Sequence, residues 1–154
     1  MSPMSEFAIE LIRVVGPPLI TILLGGFILQ RFFVSKANQS AFIDLLDNEL
    51  CDLRSDCLEY WALLAKSSEE KQRAQLLAQK IKGGIKSIGV NIRHYSNRYC
   101  KNKYNAFNEL VVELSDACTG GDFESSRRKP DNSRPMVIIN TISHIRAELF
   151  KGKL

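Results

Sequence analysis

An uncharged stretch near the N-terminus constrains this chain more than any other feature. Residues Val14–Gln30 are 17 consecutive positions without a charge, and with the Arg31 side chain extended toward the interface the apolar run reaches Val34. As a helix, about 21 residues span roughly 32 Å, which matches a hydrocarbon core of about 30 Å. We therefore predict a transmembrane helix at residues 14–34. A buried core helix is the first alternative, and a cleaved signal peptide is the second.

The residues on either side of this run indicate whether it is cleaved as a signal peptide and how it is oriented in the membrane. A cleaved signal peptide begins with positive charge, whereas Glu6 and Glu10 stand before this run. Arg13 alone precedes the run, and Arg31 and Lys36 follow it; basic residues collect on the cytoplasmic side of a span. The predicted domains are a short non-cytoplasmic tail at residues 1–13, the transmembrane helix at 14–34 and a cytoplasmic domain at 35–154.

Small residues inside the predicted span indicate self-association. Thr21 and Gly25 are four positions apart, and Gly26 follows directly, so one face of the helix lacks large side chains. In lipid such a face lets two helices approach closely. We predict a homo-oligomer in the lipid bilayer, because one span by itself cannot form a pore.

The fold class predicted for residues 35–154 is an all-α bundle of about four helices. No glycine or proline lies between Gly26 and Gly83, so the span and the first helix of the bundle are predicted to be one rod. Apolar residues recur every three or four positions in each predicted helix, which is the spacing of one helix face. The predicted inward positions are Phe42, Leu46, Leu50, Leu53, Cys57, Trp61 and Leu64 in the first helix; Ala74, Leu77, Ile81, Ile85, Ile88, Ile92, Tyr95 and Tyr99 in the second; Phe107, Leu110, Val111, Leu114 and Cys118 in the third; and Ile138, Ile142, Ile145 and Leu149 in the fourth.

The second of these stripes is nearly a heptad seam, so we also predict that it pairs between chains. Local signals mark the helix ends. Ser67 with Glu70 is a capping-box pattern that opens the second helix. A fourth helix is predicted to start at Pro135 with Ser133 as its cap.

The segment Gly120–Glu124 reads GGDFE and is close to the signature of diguanylate cyclases. Those enzymes carry the signature on a turn between two strands of a larger α/β domain. Here helices are predicted on both sides, and a motif without its structural context does not establish a function. We predict a helix cap and a loop, with Gly120 and Gly121 at the helix C-terminus.

Charge is unevenly placed along the chain. Residues 44–70 carry eight acidic residues, whereas residues 71–103 carry nine basic residues and no acid. One interpretation is that the first two helices of the bundle pair through their flanks. The other is an anion-binding surface that accepts a nucleotide, RNA or acidic lipid headgroups. Its candidate residues are Lys82, Lys86, Arg93 and Arg98.

Three glycines interrupt the basic helix, each at a cost of about 1 kcal/mol relative to alanine. Gly83, Gly84 and Gly89 indicate either close packing against another helix or backbone contact with a phosphate. The spacing of a Walker loop is absent, and close packing is the preferred interpretation.

The cysteines and histidines predict no metal site and no catalytic residue. The four cysteines have no C-x-x-C pair and are predicted to be free buried thiols, which favours a reducing compartment. Arg93 and His94 adjoin, so the R-x(4–6)-H motif of HEPN ribonucleases is missing. We predict no enzyme activity and no cofactor.

The plan of the chain resembles that of small single-span bacterial membrane proteins, with a short outer tail, one span and a small helical domain. Some of these are effectors of anti-phage systems, including CRISPR-associated membrane effectors. The resemblance implies a location in the bacterial inner membrane and a signal-responsive effector whose helical domain senses an anionic ligand or partner and perturbs the membrane. The alternative is an anchored scaffold that holds a cytoplasmic protein partner and opens no pore.

Overall fold

The computed structural model describes residues 3–125 and 131–151, and their side chains from Ile28 onward. The described residues form an all-α fold without strands, as the sequence predicts. A short 3-10 turn, Lys101–Lys103, separates the second and third helices. The α-helices are α1 (Pro3–Ala62), α2 (Ser68–Tyr99), α3 (Tyr104–Thr119) and α4 (Arg134–Phe150).

The chain divides into two compact units, Met1–Asn38 and Gln39–Leu154. In the first unit, five apolar side chains at the end of the predicted span are more than half exposed, namely Ile28, Leu29, Phe32, Phe33 and Val34. The second unit is the helical bundle, which contains the last part of α1 together with α2, α3 and α4.

No helix in the described part of the chain combines the length and the apolar character that a membrane crossing requires. The predicted span at residues 14–34 lies mostly outside the residues whose side chains are described. The same holds for Thr21, Gly25 and Gly26, on which the predicted association face depends. The transmembrane helix therefore remains a prediction.

One hydrophobic core holds the bundle together, and most of the predicted inward positions belong to it. On α1, the side chains of Leu46, Leu50, Leu53, Cys57 and Trp61 are buried, as predicted. Ile81, Ile88 and Ile92 of α2 and the inward residues of α4 are buried as well. Since burying a large aliphatic side chain contributes about 1.5–3 kcal/mol, this shared core is the main source of stability. The largest fully buried side chains include Tyr60, Tyr95, Phe107, Ile43, Leu46, Leu50, Ile81, Ile88 and Leu114.

One predicted inward position was wrong, and five others pack against the core without being fully buried. Leu64 lies beyond the end of α1 and is 49% exposed, because the helix stops at Ala62 and the chain turns toward α2. Ile85, Tyr99 and Val111 are only half-buried, since they lie at the edges of the core. The other half-buried predicted positions are Phe42 and Ala74.

The predicted heptad seam of α2, which we call the isoleucine seam after Ile81, Ile85, Ile88 and Ile92, packs against other helices of the same chain. Ile81 and Ile88 are fully buried and Ile92 is 2% exposed, because α1 and α3 contribute side chains to the same core. The seam is therefore not a surface through which two folded chains can pair.

The start of α2 has the predicted capping box. The Ser67 hydroxyl accepts a hydrogen bond from the Glu70 amide at 3.1 Å, and the Glu70 carboxylate accepts one from the Ser67 amide at 3.2 Å. Two amides that lack a partner at a helix start are thus satisfied. This cap fixes the point at which the chain leaves the α1–α2 turn.

The start of α4 differs from the prediction. The helix begins at Arg134, and the Ser133 hydroxyl donates to Asp131 rather than capping the helix. A carboxylate oxygen of Asp131 accepts from the amides of Ser133 and Arg134, at 2.9 and 3.3 Å. These bonds to Ser133 hold the pKa of Asp131 below its usual value. The Asp131 carboxylate, rather than the Ser133 hydroxyl, accepts the amides at the start of α4, because a carboxylate forms charge-assisted hydrogen bonds with several donors.

Candidate functional site

The predicted anion-binding residues lead to a groove between α2 and α3. It consists of two cavities of about 330 and 430 Å³ that share the residues Ile85, Lys86 and Ser115. Gly89 and Val111 form the floor of the first cavity together with Ile92. We call this feature the α2–α3 groove.

The α2 side of the groove carries three of the four residues predicted to bind an anion. Lys82, Lys86 and Arg93 are exposed and lie at a spacing of four and seven residues, which places them along one flank of the helix. We call these three residues the basic bank. From end to end the bank is about 16 Å long, at 1.5 Å per helical residue.

The three cations of the basic bank differ in their partners. The Lys82 ammonium lies 2.7 Å from a carboxylate oxygen of Glu124, and both side chains are about half exposed. Within the described residues, neither Lys86 nor Arg93 has a carboxylate at ion-pair distance. The middle and far parts of the bank are therefore open to an external anion.

Arg98, the fourth predicted residue, does not belong to this group. Five residues beyond Arg93, it lies near the opposite side of α2 at 100° per residue, and its guanidinium lies 5.5 Å from the centre of the Tyr99 ring. Arg98 therefore lies on another face of α2 than the basic bank, because residues five positions apart on a helix do not share a face.

The flank of α2 that faces α1 does pair with acidic residues. Arg73 forms an ion pair with Glu59, and Lys80 lies 4.0 Å from Asp56. Asn91 donates to the Glu49 carboxylate at 2.9 Å. The interpretation of helix pairing is thus confirmed for this flank of α2, whereas the basic bank lies on the other flank, where anion binding stays a prediction.

The α3 side of the groove is polar but uncharged. Tyr104, Asn108, Ser115 and Thr119 line it, and Val112 stands on the outer ridge of α3 with 54% of its surface exposed. On α2, Val90 is 47% exposed. The groove therefore combines cations on one side, hydrogen-bonding groups on the other and exposed apolar side chains on its margins.

Acidic residues of α3 lie beyond this ridge. Glu109, Glu113 and Asp116 are exposed and four and three residues apart, so they share the face of α3 that is turned away from α2. We call these three residues the acidic stripe. The sequence analysis missed it, although its helical spacing of carboxylates is visible in the sequence.

The glycines of α2 serve packing rather than phosphate binding. A methyl group at Gly84 would lie 3.3 Å from the Leu53 side chain of α1, and one at Gly89 would lie 3.4 Å from Val111 of α3. Gly83 has nothing within 4 Å of that position. Close helix packing thus explains Gly84 and Gly89, and nothing in the structure explains Gly83.

The GGDFE segment is a structural loop, as predicted. Phe123 packs its ring on Tyr60, with ring centres 4.8 Å apart, and the Glu124 amide donates to the Tyr60 hydroxyl at 2.8 Å. Gly121 has a φ of +67°, the left-handed conformation in which a side chain is strained. The segment closes the end of the bundle, and Glu124 also partners Lys82.

All four cysteines are free, and two of them, Cys57 and Cys118, are buried as predicted. Cys51 and Cys100 are only half-buried. The neighbouring Cys118 thiol and burial raise the pKa of the Cys57 thiol, so it is protonated at neutral pH. Among the described residues no group of histidine, cysteine or acidic side chains is placed to hold a metal ion.

No known protein family, curated protein or solved structure matches this chain. Its function is therefore inferred from the geometry of the α2–α3 groove and from the pattern of the sequence.

Proposed function

We propose that this chain is a membrane-anchored, signal-responsive effector whose helical bundle receives an anionic ligand or partner in the α2–α3 groove. The observation that carries the proposal is the basic bank, in which Lys86 and Arg93 face the groove without a carboxylate partner among the described residues. Two cations at the edge of an apolar floor attract an anionic group that also has apolar surface.

The anchor in this proposal is the apolar run of residues 14–34. Its length suits a bilayer, and the described side chains at its end, such as Phe32 and Phe33, are apolar and exposed. The flanking charges support a bundle in the cytoplasm of a bacterial cell and a short tail outside. A reporter that works only in the periplasm, fused at Leu154, should be silent, and carbonate should leave the protein in the membrane fraction. An active reporter, or release by carbonate, would contradict the anchor.

Signalling requires that the ligand bind two states of the protein with different affinity. Helix α1 contains both the predicted span and part of the bundle core, including Leu46 and Leu50. A change in α1 packing on ligand binding is therefore the proposed route by which the signal reaches the membrane.

The test is inducible expression in bacteria with a dye that reports membrane potential. The wild-type chain should depolarise the membrane, and the double variant Lys86→Gln with Arg93→Gln should fail to do so at equal expression. The matched control removes two exposed charges outside the groove, Arg98→Gln with Lys101→Gln, and should depolarise as the wild type does.

The scaffold is the second candidate, and the exposed Val90 and Val112 favour it, because apolar side chains on an open groove suit a protein surface. The scaffold predicts no depolarisation under any condition of expression. Depolarisation that the double variant retains in full would overturn the role of the groove in either function.

A further inference from the structure

We infer that the anionic partner of the α2–α3 groove is a second copy of this chain, bound through a two-fold symmetric contact. The inference rests on the proposed function in one respect, that the groove receives an anionic group. It names that group as the acidic stripe on α3 of the second copy.

The two charged sets lie on opposite sides of one surface. The basic bank lies on α2, and the acidic stripe lies beyond the ridge of α3 on which Val112 is exposed. A surface with one sign of charge on each side of an apolar centre is complementary to itself when one copy is turned by a two-fold axis.

The cations of the basic bank on α2 and the carboxylates of the acidic stripe on α3 also lie at matching positions along the two helices. Lys86 shares both cavities with Ser115, which is the neighbour of Asp116. Arg93 shares its cavity with Asn108, which is the neighbour of Glu109. The register is fixed by Gly89, where a methyl group would lie 3.4 Å from Val111 of α3. Because α2 and α3 run antiparallel across a short turn, counting from this contact at 1.5 Å per residue places Lys86 within about 3 Å in height of Asp116, and Arg93 within about 3 Å of Glu109.

This correspondence selects the direction of the axis. A two-fold parallel to α3 exchanges the two sides of the surface but keeps every height, so Lys86 meets Asp116 and Arg93 meets Glu109. A two-fold across the helices would instead bring bases onto bases, which is unfavourable. In the parallel arrangement the corresponding helices of the two bundles run in the same direction.

The shape of the surface fits the same contact. The ridge of α3 stands beside a groove whose floor is formed by Ile85, Gly89 and Val111. Under the two-fold, Val112 of each copy enters the groove of the other, which buries an apolar side chain that is 54% exposed in the single chain. Helices pack in this ridge-into-groove manner within proteins and between them.

The acidic stripe is available for this role. Glu109, Glu113 and Asp116 are exposed, and no side-chain hydrogen bond or ion pair holds them within the described part of the chain. On the other side, Lys86 and Arg93 likewise have no carboxylate at ion-pair distance there. A contact between two copies satisfies both sets at once.

The test is charge reversal with rescue in the full chain, purified in mild detergent, with self-association measured by energy transfer between two dye-labelled populations. The basic-bank variant Lys86→Glu with Arg93→Glu should dissociate at least about tenfold more readily than the wild type, because each reversal acts twice in a symmetric contact. The acidic-stripe variant Glu109→Lys with Asp116→Lys should behave in the same way.

The decisive experiment asks whether mixing the two charge-reversal variants restores association. A mixture of the two variants should associate better than either alone, because opposite charges then meet again at one half of the contact. Arg98→Glu with Lys101→Glu, which changes the net charge equally outside the groove, should associate as the wild type does. Unchanged association of both variants, or failure of the mixture to associate better than its components, would overturn the inference.

A nucleic-acid ligand is distinguished by a labelled RNA oligonucleotide added to the same samples. RNA binding that is lost in the basic-bank variant while self-association is unchanged overturns the contact between copies and leaves the proposed function standing. If the basic-bank variant retains depolarisation in cells, self-association and RNA binding, the inference and the proposed function both fail.

Discussion

The guanidinium of Arg134 lies 5.4 Å from the centre of the Trp61 ring, and the two side chains together bind the C-terminal end of α3. Arg134 donates to the carbonyl oxygen of Asp116 at 3.1 Å, and the Trp61 indole donates to that of Cys118 at 3.1 Å. The last carbonyls of a helix have no partner within it. Here Trp61 at the end of α1 and Arg134 at the start of α4 supply donors, and the Gly120 amide also donates to the Asp116 carbonyl at 2.8 Å.

Arg134→Lys should therefore lower the free energy of unfolding by about 1–2 kcal/mol, because an ammonium cannot replace a planar guanidinium that donates to a carbonyl while stacked on a ring. Denaturant unfolding followed by the fluorescence of Trp61, which is the single tryptophan, measures the change. Arg93→Lys, an exposed position in the groove, is the matched control and should change stability by about 0.5 kcal/mol or less. Equal stabilities of the two variants would show that Arg134 does not brace the helix end.

The glycines of the GGDFE segment should be intolerant of alanine. At Gly120 an added methyl group would lie 2.6 Å from the Asp116 carbonyl oxygen and 2.8 Å from the Arg134 guanidinium. Gly120→Ala should cost about 1–3 kcal/mol, because the backbone of α3 cannot move without losing hydrogen bonds.

Gly83→Ala is the counterpart within helix α2. With nothing within 4 Å, it should stabilise the protein by up to about 1 kcal/mol through helix propensity alone. Thermal or denaturant unfolding compares the two variants. A destabilising Gly83→Ala would mean that this position has a contact which the single chain does not contain.

Because the isoleucine seam is part of the hydrophobic core, truncating one of its buried side chains should destabilise the fold. Ile88 is fully buried, so Ile88→Ala should lower the free energy of unfolding by about 2–5 kcal/mol. Val90→Ala, two residues away but 47% exposed, should change it by about 0.5 kcal/mol or less. Circular dichroism during urea unfolding separates the two. If Ile88→Ala lowered the free energy of unfolding only slightly, the isoleucine seam would not be buried within one chain.

The phenol of Tyr95 should make stability depend on alkaline pH. Burial raises the pKa of Tyr95 to about 12, against a hydrogen bond from Gln39 that lowers it, while the unfolded phenol titrates near 10.0. Between these values the unfolded chain loses the proton and the folded chain keeps it. Stability is therefore fully present below pH 10 and falls as the pH rises toward 12, by roughly 1–3 kcal/mol.

Unfolding free energies measured from pH 9 to about pH 11.5 test this dependence. Tyr95→Phe should flatten the slope, whereas Tyr104→Phe, at the edge of the groove, should leave it as in the wild type. Parallel slopes for Tyr95→Phe and the wild type would assign the alkaline dependence to other groups.

The sequence alone determined the helices and most of the core. The spacing of Leu46, Leu50 and Leu53 indicates which face of α1 is inward, since the helical period is a property of the backbone itself. The capping box at Ser67 is equally local, because its atoms lie within one turn. For the same reason the sequence predicted helices on both sides of the GGDFE segment rather than the strands on which a cyclase carries this signature. The candidate site could be predicted in part, as Lys82, Lys86 and Arg93 share one flank of α2.

Only the tertiary structure decided which residues of the other helices lie opposite each flank of α2. The helical period alone places Arg98 on another face than Arg93, but only the structure shows that its guanidinium lies against the Tyr99 ring. The distinction between Lys80, which lies near Asp56, and Lys86, which faces an open groove, also depends on the neighbouring helices. The brace of Arg134 on Trp61 joins residues that are 73 positions apart in the numbering. Local periodicity carries no information about such contacts, because they arise from the packing of whole helices.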